Sequence, residues 1–177
     1  MDQQATAEDR FRALHRSTFP DLLRFVSRRV PPDEAEDIVS TVYLTASRRF
    51  AEVPEDARPW LFGVARRTMA NQTRGWLRRR ALDVRLTAVE PAEAYDDSAG
   101  AATRLDLQRA WQGLSAADRE VLALVAFDGL TSEQAAGVLG CRRSAFAMRL
   151  SRARRRLQDA LEPTPSSSRI DALQEQQ

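Results

Sequence analysis

The chain has 177 residues, 43 % of them apolar, with few aromatics and only 7 glycines, a composition that supports a packed core and favours helices over a turn-rich sandwich or barrel. It contains no run of about 18 apolar residues able to span a membrane, and Met1 to Arg10 is polar with no signal-peptide pattern, so the cytoplasm is the expected location. The net charge is +2 with arginine as the only basic side chain besides His15; the single Cys141 excludes an intrachain disulfide, and one cysteine and one histidine far apart leave no expected metal or cofactor.

Residues 1–10 are expected to be disordered. From 11 to 86 the apolar spacing is helical. Phe11, Leu14, Phe19, Leu22, Phe25 and Val26 supply one or two helices before Pro31 and Pro32 break the chain. Asp33 is placed to cap the next helix, about Glu34 to Phe50. In it Ala35, Ile38, Val39, Val42, Ala46 and Phe50 form the core stripe, and Glu36, Ser40, Tyr43 and Ser47 the outer side. After Pro54 and Pro59 a helix is expected from Trp60 to Arg80, with Leu61, Val64, Ala65, Thr68 and Met69 inward and Arg67, Asn71, Arg74 and Arg78 on another side. Seven arginines against one acid lie between Trp60 and Arg85.

Residues 87–104 turn small, acidic and aperiodic, and read as a flexible linker. Helical periodicity returns over 105–161. One helix is expected from Leu105 to Gly113. A second, from Ala116 to Phe127, is capped by Ser115 and ends at Asp128-Gly129. A third, Ser132 to Leu139, follows Thr131 with Gln134 placed for a capping box, and Gly140 ends it. The last helix runs from Arg143 to Leu161 on a stripe of Phe146, Leu150, Ala153, Leu157 and Leu161. The tail, 162–177, reads as disordered. The fold class is therefore all-α: two small helical domains joined by a flexible linker.

A short helix, a turn at Gly140 to Arg142 and a longer helix make a helix-turn-helix, whose second helix enters the DNA major groove. Between Arg142 and Gln158 there are seven arginines and no acid, a surface suited to phosphates and counterion release. Arg142, Arg143, Ser144, Ala147, Met148, Ser151, Arg152 and Arg155 are the candidate contacts opposite the apolar stripe. Arginines there suit guanine edges, while Ala147 and Met148 suit thymine methyls or sugars. Arg154 to Arg156, further from the helix start, suit phosphates.

Three segments in order, AEDIVSTVYLTASRRF, RPWLFGVARRTMAN and REVLALVAFDGLTSEQAAGVLGCRRSAFAMRLSRARRRL, resemble the extracytoplasmic-function sigma factors. The resemblance implies a promoter-specificity subunit with no catalysis of its own, whose partners are core RNA polymerase (its large-subunit clamp and flap), promoter DNA and an anti-sigma factor. It assigns polymerase docking to Glu36, Asp37, Ser40, Thr41, Tyr43 and Leu44. The minus-ten element falls to Arg58, Arg66, Arg67, Asn71, Arg74 and Arg78, and the minus-thirty-five element to the helix from Arg143. The family often has glutamine at the position of Ser40 and arginine around Ala147. Trp60 is expected to be mainly core packing, and His15 an ordinary helix residue.

Two other functions stay open at this level. A stand-alone helix-turn-helix regulator explains 105–161 equally well, but leaves the acids around Glu34 and the basic helix from Trp60 without a role. A nucleic-acid enzyme would need a carboxylate cluster, a phosphate-cradling loop or a nucleophile–base pair, none of which the sequence offers.

Overall fold

Consecutive prolines at 31 and 32 separate the first two helices, and the second proline, with its fixed φ, is the first residue of the second helix. The computed structural model describes residues 2–72 and 98–162, and side chains over 7–71 and 103–162. Arg74, Arg78, residues 87–97 of the expected linker and residues 163–177 of the tail lie outside the described residues.

The first half holds α1 (Asp2–Ser27), α2 (Pro32–Arg48), a 3-10 turn (Phe50–Glu52) and α3 (Ala57–Gln72). The second holds α4 (Ser98–Gly113), α5 (Ala116–Ala126), α6 (Ser132–Leu139) and α7 (Arg143–Leu161). No strand occurs among the described residues, and no helix there is long and apolar enough to cross a membrane.

Several boundaries differ from the sequence-based expectation. Residues 2–10, expected to be disordered, continue α1: the segment contains no proline or glycine, and Asp9 and Arg12 pair one turn apart at 3.0 Å. Pro20 lies inside α1 on its exposed side, where water can satisfy the carbonyl that its missing N–H leaves. Asp33 is not the cap of α2; Pro31 occupies that position with Pro32 at the start, and Asp33 and Glu34 complement the positive end of the helix dipole in the first turn. Phe50 falls beyond α2, in the 3-10 turn. Helix α3 begins at Ala57 rather than Trp60, since Pro59 is tolerated in a first turn. Helix α4 starts at Ser98, inside the expected linker, where alanines favour a helix despite Gly100.

The second half follows its local signals closely. The Ser115 hydroxyl accepts the Asp118 N–H at 3.1 Å to cap α5. Thr131 and Gln134 form a reciprocal capping box at α6. Gly140 ends α6 in the left-handed region, at φ 66°, which glycine adopts without a Cβ clash.

In the first half α1, α2 and α3 pack on one another, and in the second α7 packs on α4, α5 and α6. Phe25 of α1 and Phe62 of α3 stack with ring centroids 4.3 Å apart, and Phe146 of α7 is fully buried. Each such side chain contributes about 2 kcal/mol by leaving water. The two halves also meet: α3 lies against α6, and the buried apolar side chains of both form one contiguous cluster.

Candidate nucleic-acid interface

The buried stripe of α7 is Phe146, Leu150 and Ala153, with Leu157 half-buried beneath it. That stripe fixes which side of the helix faces outward. Arg142, Arg143, Ser144, Ala147, Met148, Ser151, Arg152 and Arg155 are all exposed, and their three-to-four-residue spacing puts most of them along one outer face. Met148 keeps 55 % of its surface in water. Arg142 occupies the N-cap of α7 without a side-chain cap bond. The first N–H groups of the helix and two arginines are thus presented together, an arrangement favourable to phosphate.

Arg156, grouped in the sequence with Arg154 and Arg155, is placed differently. It donates to both carboxylate oxygens of Asp118 at 2.8 Å, and the Ser115 hydroxyl donates to the same carboxylate at 2.7 Å. Arg156 therefore braces α7 against α5, while Arg154 and Arg155 are exposed.

On α2, Glu36, Asp37, Ser40, Thr41 and Leu44 are exposed, Leu44 to 58 %. Tyr43, expected on the outer side, is buried instead. Its hydroxyl shares a 2.8 Å hydrogen bond with Thr18, and its ring meets His15 at 4.4 Å and Phe11 at 6.4 Å. Its expected place on the outer side of α2 is thereby corrected: α1 supplies an aromatic wall that takes the ring. Burial raises the Tyr43 phenol above its ordinary value, and the Thr18 bond offsets part of the rise. His15 belongs to the same wall, stacked on Phe19 at 5.2 Å.

On α3, Arg67 and Asn71 are exposed. Arg66 is half-buried and lines a cleft of ≈ 340 Å³ with Ala116, Asp118, Glu120, Leu139 and Arg149 of the second half. Arg58 is engaged inside the molecule: it pairs with Asp21 at 2.9 Å, donates to the Asp128 carbonyl at 2.6 Å and lies over the Phe62 ring at 5.6 Å. Arg58 thus has partners within the molecule while 37 % of its side chain stays exposed. Trp60 is half-buried against the core with the Arg49 guanidinium 6.0 Å from its ring.

Sequence reasoning missed the residues that join the halves. Arg29, in the turn after α1, has no exposed side-chain surface. It donates to Glu120 at 3.1 Å, to Asp128 at 2.7 Å and to the Phe25 carbonyl at 2.8 Å. Arg28 donates to the other Asp128 oxygen at 2.9 Å. No periodic signal marks such pairs, because their partners lie 91 to 100 positions away. The one hint was an acid at 120 directly before the apolar run VLALVA of α5.

Residues 104–157 match the sigma-70 region 4 family, a segment that contains α5, α6 and most of α7. The chain is 31 % identical over 140 residues, 72 % of its length, to the RNA polymerase sigma factor NccH of Alcaligenes xylosoxydans xylosoxydans, of which it covers 73 %. Its fold is similar to that of the sigma factor RpoE from Bartonella quintana, solved in complex with the anti-sigma factor NepR: the TM-score is 0.60 at 26 % identity, covering 86 % of this chain and 96 % of that one. The structure of CnrH, solved in complex with the cytosolic domain of CnrY, aligns with the same TM-score of 0.60 at 23 % identity over 89 % of this chain and 94 % of that one, a likeness of fold. With a region 4 helix-turn-helix, an all-helical fold of this type and 31 % identity to a sigma factor over 72 % of its length all in one chain, the protein belongs to the extracytoplasmic-function group of the sigma-70 family of RNA polymerase sigma factors.

Proposed function

We propose that this sigma factor divides promoter recognition between its halves, residues 11–86 acting as region 2 and residues 105–161 as region 4. The observation that carries this reading is the outer face of α7, where exposed arginines and Met148 stand opposite the buried stripe with no acid between Arg142 and Gln158. On that face Arg142, Arg143, Ser144, Ala147, Met148, Ser151 and Arg152 read the minus-thirty-five element, and Arg155 holds a phosphate. In region 2, Glu36, Asp37, Ser40, Thr41 and Leu44 dock on the polymerase clamp. Arg66, Arg67 and Asn71 serve the minus-ten element, together with Arg74 and Arg78 outside the described residues. Tyr43 supports docking from beneath by holding α2 on α1.

The chain catalyses nothing itself in this reading, acts in the cytoplasm beside the polymerase, and is held inactive by an anti-sigma protein. The complex of RpoE with NepR supports that last element by similarity.

Transcription in vitro with core polymerase on a genomic fragment library tests the assignment. Starts that cluster behind a shared pair of elements are expected. If an active core enzyme gives no starts that depend on this protein, the reading fails and the stand-alone regulator replaces it.

A further inference from the structure

The contact between the halves uses charge in an unusual place. Arg29, with 0 % of its side chain exposed, and Asp128, with 1 %, come from the turn after α1 and from the turn after α5. Glu120, 9 % exposed, takes the other side of the same guanidinium. Around this centre, Arg28 binds the second Asp128 oxygen at 2.9 Å and lies 5.6 Å from the Phe127 ring. Arg58 takes the Asp128 carbonyl at 2.6 Å. At the rim, the amide of Gln134, already part of the α6 capping box, donates to Asp56 at 2.6 Å. Gly129 sits at φ 64°, so the left-handed turn that aims both Asp128 groups at the first half needs a glycine.

Buried ion pairs contribute less to net stability than to specifying one arrangement. They are also poorly screened by salt. Apolar packing alone would let α6 slide on α3; a guanidinium bound on both sides does not.

The arrangement it specifies conflicts with reading two separated DNA elements. Elements named for positions ten and thirty-five lie roughly 25 base pairs, or about 85 Å, apart on a duplex rising 3.4 Å per base pair. Here α3 and α6 touch. Arg58 is consumed by the contact and Arg66 faces the cleft, while the exposed residues of α2 and α7 remain open.

We propose that Arg28, Arg29 and Arg58 with Glu120 and Asp128 form a latch that keeps the free sigma factor closed, open to polymerase docking but unable to engage both promoter elements until the halves part. This inference rests on the division of roles given above. Opening exchanges the internal partners of Arg28 and Arg58 for water and DNA phosphates, so promoter capture, not docking, is what the latch opposes.

The test uses the full chain. The isosteric pair Glu120→Gln with Asp128→Asn keeps shape and removes charge, and circular dichroism checks that it remains helical. X-ray scattering should show its radius of gyration larger than wild type by several ångströms. Transcription by core polymerase at limiting sigma factor should rise several-fold. Conversely, Asp56→Cys with Gln134→Cys, in a Cys141→Ser background, should cross-link under oxidation. The cross-linked chain should initiate at least tenfold less than the same chain after reduction. An unchanged radius and unchanged transcription in the charge-neutral variant would overturn the latch. So would failure of the cysteines to cross-link, or full activity of the cross-linked chain. If wild-type protein drives no transcription with an active core enzyme, the functional assignment falls separately, and the scattering and cross-linking results still decide whether the halves are latched.

Discussion

The Arg29 guanidinium donates to the Asp128 carboxylate at 2.7 Å across 99 positions of sequence, and neither side chain is more than 1 % exposed. Removing one partner leaves a buried charge without its counter-charge. Asp128→Ala should therefore cost about 3–5 kcal/mol of the stability of the closed form, read as a lower urea midpoint. Arg154→Ala, on an exposed side chain, should stay within about 0.5 kcal/mol of wild type. Equal midpoints for the two variants would show that the pair is not buried in solution.

Arginines of α7 should separate by role. Arg143→Ala and Arg152→Ala are expected to weaken binding to promoter duplex and, where they touch a guanine, to relax preference at one base by about 1–3 kcal/mol. Arg155→Ala should weaken all sequences alike and lower the salt slope by about 1. Arg156→Ala, whose guanidinium is tied to Asp118, should leave that slope unchanged. Fluorescence anisotropy across a salt series distinguishes the three patterns.

Leu44 is a large apolar side chain 58 % exposed beside Asp37, Ser40 and Thr41. Leu44→Ala should weaken capture of core polymerase by about tenfold, the equivalent of burying roughly half a leucine side chain, with little change in thermal stability. Surface-plasmon affinity and a thermal melt on the same preparation check both halves of the statement.

Tyr43 gives the protein a pH dependence in the alkaline range. Its folded-state pKa lies above the ordinary 10.0 because burial disfavours the phenolate. Below about pH 10 the contribution of the neutral phenol to stability is complete. As pH rises through the folded value, the unfolded chain has already released its proton and that contribution is lost. Tyr43→Phe removes the bond to Thr18 and should cost about 1 kcal/mol at pH 8. The gap between the two proteins in urea unfolding should narrow above pH 10. A constant gap from pH 8 to 11 would mean that the phenol is hydrated.

Left-handed glycines set two of the turns. Gly140, at φ 66°, has nothing within 4 Å of where a Cβ would stand, so Gly140→Ala tests backbone strain alone and should cost about 1–2 kcal/mol in a thermal melt. A neutral substitution would mean that the turn before α7 relaxes.

What the sequence by itself determined was local. The ends of α5, α6 and α7 follow from Ser115, the Thr131–Gln134 box and Gly140, because a cap needs only partners within a few residues. The helix-turn-helix and the polarity of α7 follow from periodicity, since burying Phe146, Leu150 and Ala153 leaves the arginines one side to occupy. The tertiary structure decided what depends on distant neighbours. Tyr43 turned inward because α1 brings Thr18, His15 and Phe11 against it, and its place on α2 says nothing of that wall. Arg58, Arg28 and Arg29 gained internal partners because the halves pack together and bring Asp128 against all three. Helical spacing reports which side of one helix is apolar; which charge lies opposite it is settled only when two helices meet.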